Sequence, residues 1–384
     1  MKFFHLSDLH IGLKLMQRDL YDEQAHILAQ VTELARCEQP DAVVIAGDIY
    51  DKAIPAGEAV ELFDKFIVSL SDAVPQAEIM LISGNHDSPQ RVNVFRSILQ
   101  RQHIYMVGLP PRTPEEHIEK VTLTDEYGAV NFYLLPFVRP SMVRAVVAIE
   151  DEEGGLSYDE TLHRLLAREN IDEAERNVLV SHQFYLPPGT KADAVERMDS
   201  EIRTVGNIDE VRADVLYKFD YAALGHIHKP MQVGRENYRY SGTPLACSVS
   251  EAGQDKGVVV VEMREKGVTG IRVLPLVPHH AVRIVKGSLS EVLAQESEDF
   301  VTVILTDKDD LDVIDMQDRL RRAFPNLLEI RRVVPEMTYS GTNSTTTVAI
   351  NADPLTWCAD FLGELDGEDE AILQDVINSV KEAD

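Results

Sequence analysis

The chain has 384 residues, enough for two or three domains with cores of their own, and its content of 44% hydrophobic and 27% charged residues is that of a soluble globular protein. No apolar run approaches the ~20 residues of a membrane-spanning helix, and the first residues lack the apolar core of a secretory signal, so we expect a cytoplasmic protein with no membrane partner. Three widely spaced cysteines exclude a disulfide framework, and a net charge of -28 argues against free-standing affinity for nucleic acid, whose phosphates are bound by Lys and Arg.

Three strands are predicted near the start of the chain, and each ends in side chains that bind metals or move protons. The strands are predicted at residues 2–7, 42–46 and 79–83, of which the last two are short apolar runs. Helical spacing of apolar residues follows each run, at residues 16–37, at residues 56–70 and from Pro89 onward. Right-handed helical crossovers would make the strands parallel neighbours, and ligands bind beyond the carboxyl ends of such strands. The residues at those ends are Asp8, His10, Asp48, Asp51, Asn85, His86 and Asp87.

Two strands later in the chain end in histidines. Residues 178–181 lead to His182, and residues 221–224 lead to Gly225-His226-Ile227-His228. Residues two apart on a regular strand face opposite sides, so both histidines reach one site only if the chain leaves the sheet, which Gly225 permits. The long and mostly polar stretch 183–212 between the two strands is typical of a functional or disordered loop.

The remaining pattern predicts a first domain at residues 1–278 and a smaller one at residues 282–335. Strands at residues 121–123 and 130–135 and a helix at residues 157–169 belong to the first domain. Strands at residues 282–285, 301–305 and 328–333 and a helix at residues 311–323 indicate a small α+β domain. Residues 338–350 have the composition of a linker, and residues 351–384 form a tail with two apolar stripes. We expect two short helices in the tail, which either fold back on the body or dock on a partner.

The polar clusters contain ligands for two divalent metal ions. Two ions ~3.5–4 Å apart clamp the attacking and leaving oxygens of a phosphoryl substitution, and they need a carboxylate that bridges them. Asp48 is the predicted bridge. The other predicted ligands are Asp8 and His10 in one set, Asn85 and His182 in the second, and one of His226 and His228 in each.

His86 is left outside both ligand sets. Beside a metal-bound phosphate it is placed to act as general acid or to stabilise the transition state. Asp87 is predicted to hold the His86 ring, and Asp51 to contact a ligand histidine from behind. His86 and Asp87 are therefore the predicted catalytic residues.

Each cluster alone is weak evidence. Asn-His-Asp at a strand end also occurs in turns, and a lone His-x-His is more often structural than catalytic. Five clusters in this order, each after a predicted strand, argue against a chance origin of the whole set. The histidines outside the clusters receive no function; they are His5, His26, His103, His117, His163, His279 and His280.

The order of these motifs resembles the calcineurin-like metallophosphoesterase superfamily. The resemblance is carried by Asp8-x-His10, Gly47-Asp48-x-x-Asp51, Gly84-Asn85-His86-Asp87, His182 and Gly225-His226-x-His228. Within the superfamily, residues 1–335 resemble SbcD, the family of nuclease subunits of bacterial SbcCD DNA-repair complexes. The closer resemblance rests on His5-x-Ser7-Asp8-x-His10-Ile11-Gly12, Pro136-Phe137-x-Arg139-Pro140, Ala223-Leu224-Gly225-His226-Ile227-His228-Lys229 and Tyr240-Ser241-Gly242-Thr243-Pro244-Leu245.

The resemblance implies an α/β fold and a division of the ligands. The implied fold is a two-sheet metallophosphoesterase sandwich flanked by helices, with a small capping domain at residues 282–335 and a helical tail that docks on a partner. Manganese is implied at both metal sites, where the ligand types alone allow manganese, iron or zinc. The implied ligands are Asp8, His10, Asp48 and His228 for one ion and Asp48, Asn85, His182 and His226 for the other. His86 takes the role of the catalytic histidine.

The activity implied by the resemblance is that of a DNA nuclease in repair, recombination and replication. Such enzymes degrade double-stranded DNA from 3′ ends and cut single strands and hairpins. SbcC, a coiled-coil ATPase, is the implied partner that gates access to the DNA. The implied assembly is a homodimer within a heterotetramer at the nucleoid.

Two other functions stay open on the sequence. A phosphatase or phosphodiesterase with the same site would act on small nucleotides, although such a substrate needs neither a capping domain nor a tail. A scaffold without catalysis is disfavoured because no ligand is missing.

The acidic charge requires a local source of DNA contacts. Bound metal ions supply positive charge at the scissile phosphate, and the ATPase partner would supply further contacts. A local patch is expected from the basic residues near the motifs, which are Arg139, Arg144, Lys191, Arg203, Lys229 and Arg235.

Overall fold

The computed structural model describes residues 1–147, 155–187, 189–190, 195, 197–201, 209–307, 313–333, 355, 358 and 367–383. The described residues form two compact units, of which the first takes in 1–201 and 209–279 and the second 280–383. The predicted linker at residues 338–350 lies outside the described residues, as does most of the first half of the predicted tail.

The first unit contains sixteen described strands and six described α-helices. Its strands are β1 (Lys2–Leu6), β2 (Lys14–Leu15), β3 (Arg18–Asp19), β4 (Ala42–Ala46), β5 (Glu78–Ile82), β6 (Ile104–Val107), β7 (Glu119–Asp125), β8 (Gly128–Leu135), β9 (Arg176–His182), β10 (Phe184–Leu186), β11 (Glu210–Arg212), β12 (Tyr221–Gly225), β13 (Met231–Val233), β14 (Arg235–Tyr240), β15 (Gly257–Met263) and β16 (Val268–Pro275). Its helices are α1 (Tyr21–Glu38), α2 (Gly57–Ala73), α3 (Pro89–Val92), α4 (Arg96–Leu99), α5 (Pro140–Val147) and α6 (Tyr158–Ala167).

The first six-stranded sheet has the order β16-β15-β1-β4-β5-β6. The strands β1, β4, β5 and β6 are parallel, and Phe3 pairs with Ala42 while Val43 pairs with Ile79. β15 and β16 complete the sheet in antiparallel pairing. The prediction that the first three strands are parallel neighbours is confirmed, so their carboxyl ends lie at one edge of the sheet.

The second six-stranded sheet has the order β13-β14-β12-β9-β8-β7. Its four central strands are parallel, and the outer strands β13 and β7 are antiparallel to them. Gly225 at the end of β12 pairs with His182 at the end of β9. This register brings the two histidine motifs of the sequence together.

An apolar core between the two sheets joins them into a sandwich. Phe3 of the first sheet packs edge-on against Phe132 and Tyr221 of the second, with ring centroids 5.3 Å and 5.5 Å apart. The outer face of the second sheet packs against α5 and α6. The helices α1 and α2 pack on each other and bury apolar stripes that include Val31 and Phe66. The predicted sandwich flanked by helices is confirmed.

Two predicted helices differ from the structure. Residues 16–20 are not helical, because β2 and β3 form a hairpin and α1 begins only at Tyr21, whose N–H donates to the Asp19 side chain at 2.8 Å. The helix predicted after Pro89 is broken into α3 and α4, because Phe95 between them has a φ of 61°, which a right-handed helix cannot contain.

The second unit is built on a three-stranded parallel sheet in the order β17 (Val282–Gly287), β18 (Phe300–Leu305) and β19 (Leu327–Arg332). The crossovers contain α7 (Leu289–Leu293) and α8 (Val313–Ala323). The core of this unit includes Val303, Leu320 and Phe324. α7 begins in a capping box in which the Ser288 and Glu291 side chains each bond the other's backbone N–H.

A last helix, α9 (Gly367–Ala383), carries the second apolar stripe predicted for the tail. Ile372 and Val376 on this stripe are 64% and 52% exposed. None of the helices in the described part of the chain combines the length and apolar content needed to cross a bilayer.

A buried cation in the second sheet gives the first prediction. Arg176 is 1% exposed, and its guanidinium donates to both Asp125 oxygens, at 3.0 and 2.5 Å, and to the backbone oxygens of Gly128 and Arg264. We expect Asp125→Asn to lower the free energy of unfolding by about 3 kcal/mol, because it leaves a buried charge without its carboxylate. Urea unfolding followed by circular dichroism measures the change.

The matched control is Glu126→Gln, which removes the neighbouring exposed carboxylate. A surface change of this kind costs less than about 0.5 kcal/mol. Hydrogen bonds from Arg176 hold the pKa of Asp125 below its usual range, so its contribution is present at neutral pH and is lost as the pH falls through the lowered pKa. Equal effects of the two substitutions would contradict the account of this pair.

Candidate metal centre

The structure brings all seven predicted metal ligands together where strands of both sheets end. Asp8 and His10 follow β1, Asp48 follows β4 and Asn85 follows β5. His182 ends β9, and His226 and His228 follow β12. All of them except Asn85 are buried. Charged and imidazole side chains buried together need partners of opposite charge or a bound ion.

The backbone at four of these residues is strained. Asp8, His10, Asp48 and His226 have φ angles of 54°, 43°, 48° and 101°, a region that residues other than glycine rarely adopt. Backbone hydrogen bonds hold two of them, from Asp8 N to Gly47 O at 3.0 Å and from His10 N to Asp48 O at 3.1 Å. Strain of this kind costs about 1–3 kcal/mol per residue and clusters at functional sites.

Two glycines let the backbones of the motifs approach closely. A Cβ atom on Gly84 would lie 2.1 Å from Asp48 Oδ1, and one on Gly225 would lie 2.0 Å from the backbone oxygen of Ala46. Neither position can hold a side chain without displacing these atoms. The glycines of the sequence motifs therefore set how near the polar side chains can come to one another.

The first set of donors consists of Asp8, His10, His228 and Asp48. The Nε2 atoms of His10 and His228 lie 3.1 Å apart, and His10 Nε2 is 3.7 Å from Asp48 Oδ2. Donor atoms of Asp8, His10 and His228 all lie within 4.8 Å of one another. Two ring nitrogens that face each other beside carboxylates form a pocket suited to a cation.

The second set of donors consists of Asn85, His182, His226 and, again, Asp48. Asn85 Oδ1 lies 3.0 Å from His182 Nε2 and 2.8 Å from His226 Nδ1. Asp48 Oδ2 lies 3.2 Å from His182 Nε2. Carboxylate, amide and imidazole donors of this kind suit manganese, iron or zinc, so the two sets, which share Asp48, fit divalent metal ions.

The charged groups of the site shift one another's pKa values. Burial alone would raise the pKa of Asp48, but His182 and His86 outweigh it and hold this pKa well below the usual range. Burial alone would lower the pKa of His10 and His182, but carboxylates beside them raise both to about 9. Imidazoles must lose their protons to bind a metal, so the same carboxylates that attract a cation hold protons when none is bound.

His86 lies beside both donor sets. Its backbone N–H donates to Asp48 Oδ1 at 2.9 Å, and its ring lies 4.7 Å from the His10 ring, centroid to centroid. The His86 Nδ1 atom is 2.8 Å from the backbone oxygen of Asp51. Because a carbonyl oxygen only accepts, Nδ1 carries a proton, which leaves Nε2 to accept or donate a second one.

The predicted contact between Asp87 and the His86 ring is wrong. The Asp87 carboxylate accepts the backbone N–H groups of Ile49, Tyr50 and Gly84 at 2.9–3.0 Å, and the His86 ring is held by Asp51 instead. Burial and the nearby Asp48 raise the pKa of Asp87 to about 6. Asp87 therefore fixes the loops after β4 and β5 to each other.

Asp51 lies behind the ring of His10, one of the predicted ligands. Its Oδ1 atom is 3.6 Å from His10 Nδ1, on the side of the ring away from His228. The pKa of Asp51 lies below its usual range because His10 outweighs the effect of burial. This position matches that of a carboxylate which orients a ligand.

Sequence reasoning missed the residues that the long stretch 183–212 places at the site. Arg197 is buried, with Nη2 3.1 Å from His226 Nε2 and Nε donating to Glu201 at 2.9 Å. The other Glu201 oxygen accepts the backbone N–H of His228 at 3.0 Å. Only the length of the stretch indicated a function, since buried charges in a polar loop follow no periodic pattern.

The predicted basic patch is only partly described. Lys191 and Arg203 lie outside the described residues. Arg139 lies 5.8 Å from the centroid of the Phe137 ring, and Arg235 lies 4.2 Å from that of Tyr217. These two cations therefore lie over aromatic rings.

Sequence comparison identifies the family to which the chain belongs. The sequence profile of the calcineurin-like phosphoesterases matches residues 1–230, and a second profile, described as the type 5 capsule protein repressor C-terminal domain, matches residues 278–356. The SbcD subunit of the nuclease SbcCD from Staphylococcus saprophyticus is 30% identical over 303 residues, covering 78% of this chain and 75% of that protein. The protein of the same name from Staphylococcus epidermidis is 28% identical over 341 residues, covering 87% of this chain and 86% of that protein.

Among solved structures, GAP50 of Plasmodium, an anchor in the inner membrane complex, aligns with a TM-score of 0.40 at 12% identity, covering 88% of this chain and 98% of that chain.

The profile match spans the strands and loops that carry the motifs from Asp8 to His228. With the relatives that share most of its length, this match shows that the chain belongs to the calcineurin-like phosphoesterase family and, within it, to the SbcD family.

Proposed function

We propose that this chain is a metal-dependent DNA nuclease that holds two manganese ions. The observation that carries the proposal is the position of Asp48, which faces His10 in one donor set and His182 in the other. A single carboxylate between two sets of neutral and acidic donors is what a two-metal phosphoesterase requires. Relatives that are named as SbcD components of the nuclease SbcCD support DNA as the substrate.

The ligands proposed for one ion are Asp8, His10, Asp48 and His228, and those for the other are Asp48, Asn85, His182 and His226. The bound ions would polarise the scissile phosphate and activate the water that attacks it. The protein supplies the positions: strained backbones and close glycines fix the donors before any ion arrives, so little reorganisation is needed.

His86 is proposed as the catalytic residue. Its Nδ1 proton is held by the backbone oxygen of Asp51, so the ring cannot rotate without losing that bond. Nε2 is then the atom that donates a proton or a hydrogen bond to the phosphate oxygens. Asp87 supports this role indirectly, because its carboxylate holds the loop on which His86 lies.

The proposed activities are 3′-to-5′ degradation of duplex DNA and cutting of single strands and hairpins, in DNA repair, recombination and replication. The proposed partner is a coiled-coil ATPase of the SbcC kind, in a heterotetramer that contains two copies of this chain and acts at the nucleoid. The net charge of -28 supports the need for a partner, because an acidic chain binds the DNA backbone weakly by itself.

DNA cleavage tests the proposal. End-labelled linear duplex and hairpin DNA are incubated with manganese and the wild-type chain, His86→Ala or His103→Ala. We expect His86→Ala to lower the cleavage rate by about 100-fold or more, as loss of a general acid does. His103→Ala, which changes an exposed histidine outside the site, should cleave as the wild type does, and a chelator should abolish cleavage.

If the wild type, with the ATPase partner added, did not cleave DNA, this result would contradict the nuclease proposal. If the same protein then hydrolysed a small phosphodiester, the substrate class would be small nucleotides. Equal loss of activity in His86→Ala and His103→Ala would remove His86 from the mechanism.

The shared ligand gives a second prediction. Asp48→Ala should lose both manganese ions, because each donor set loses its common carboxylate. Asp72→Ala, at an exposed position in α2, should keep both. Isothermal titration of the metal-free chain with manganese gives the number of ions, and retention of one tightly bound ion by Asp48→Ala would show that Asp48 does not serve both.

A further inference from the structure

A buried carboxylate lies behind His228, on the side of the ring away from the other metal donors. Glu251 is 1% exposed and ends the short 3₁₀ turn Val249–Glu251. Its Oε2 atom accepts from Lys256 Nζ at 2.7 Å and from Thr243 Oγ1 at 2.8 Å. The other oxygen, Oε1, accepts from Ser200 Oγ at 2.9 Å. None of the predicted motifs includes Glu251.

The hydrogen bonds around Ser200 fix the position of a proton on His228. Ser200 Oγ lies 2.7 Å from His228 Nδ1 and donates its single proton to Glu251. A hydroxyl that donates to a carboxylate can only accept from the imidazole, so His228 Nδ1 carries a proton. The neutral ring then has its lone pair on Nε2, the atom that faces His10 Nε2 at 3.1 Å.

Glu251 also acts on the ring directly. Its Oε1 atom lies 3.4 Å from His228 Nδ1, so the carboxylate and the Ser200 hydroxyl both face the same ring nitrogen. The backbone of His228 has a separate carboxylate partner, because Glu201 accepts its N–H at 3.0 Å. Glu251 therefore contacts the ring of His228, whereas Glu201 contacts its backbone.

We propose that Glu251, together with Ser200, is a positioning residue that holds His228 in the tautomer and orientation needed to bind one of the two metal ions. This inference rests on the proposed metal site and deepens it. A carboxylate that receives the outer N–H of a ligand histidine fixes the ring and raises its basicity, and its loss typically costs 10–100-fold in metal affinity.

A purely structural role for Glu251 makes a different prediction. Glu251 is the ionic partner of the buried Lys256, which also donates to Thr243 Oγ1 and to the backbone oxygen of His228. If that pair were its only role, removing the charge would lower stability without preference between the two ions. Loss of affinity for one ion and not for the other would distinguish a positioning role of Glu251 from a purely structural role.

Manganese binding to the metal-free full chain, measured by isothermal titration, tests the inference. The variants are Glu251→Gln and the matched control Glu169→Gln, which changes another buried glutamate beside a histidine, with Glu169 Oε2 3.2 Å from His117 Nδ1. We expect the wild type to bind two ions. Glu169→Gln should bind each of them as tightly as the wild type does. Glu251→Gln should keep one of these affinities and lose about 10–100-fold in the other.

A second variant covers the case in which Glu251→Gln does not fold. Ser200→Ala removes the hydroxyl at a half-buried position without leaving Lys256 unpaired. It should weaken the same ion, by less than Glu251→Gln does, because the direct contact of the carboxylate at 3.4 Å remains.

The outcomes are distinguishable. Unchanged affinities in both Glu251→Gln and Ser200→Ala, or an equal loss for both ions, would overturn the inference while the metal site stands. Failure of the wild type to bind two ions would instead overturn the proposed function and the inference with it.

Discussion

The hydrogen bond from the His182 ring to the backbone of β4 joins the two sheets at the candidate metal centre. His182 Nδ1 lies 2.7 Å from the backbone oxygen of Ala46, the last residue of β4. Because this oxygen can only accept, the ring turns Nε2 toward Asp48 and Asn85. The bond depends on Gly225, whose missing side chain leaves room beside the same oxygen. The pairing of Gly225 with His182 brings the end of β12, and the histidines that follow it, to the same place.

The candidate metal centre lowers the stability of the first unit. Carboxylates and imidazoles are buried together, and four of the proposed ligands have a strained backbone. Burial of the apolar sandwich core, which contains Phe3, Phe132 and Tyr221, supplies free energy that offsets this cost. Asp51 and Glu251 lie behind the rings of the proposed ligands His10 and His228, where a carboxylate can orient a ring without itself binding the ion.

Much of the sandwich could be predicted from the sequence, for physical reasons. The strand Ala42–Ala46 is entirely apolar because both of its faces are buried, and such a run followed by a polar turn is a strong signal. Convergence of the strand ends followed from the rule that parallel strands point the same way. The break at Phe95 and the hairpin before Tyr21 could not be predicted, because both depend on single backbone angles and side-chain contacts that no periodicity records.

The outer contacts of the site were the least predictable. Asp87 looked like the partner of its neighbour His86 but bonds backbone amides from another loop. Ser200 and Glu251 lie far apart in sequence, in segments without a regular pattern, and meet only in the folded chain. Contacts of this kind are decided by tertiary packing, whereas the inner donors could be predicted because each lies at or just after the end of a strand.

A crystal structure of the chain grown with manganese, with anomalous scattering recorded at the manganese edge, tests the central claim most directly. If the claim is correct, two anomalous peaks lie at the ends of β1, β4, β5, β9 and β12, with the Asp48 carboxylate in contact with both. A single peak, or two peaks without Asp48 between them, would contradict it.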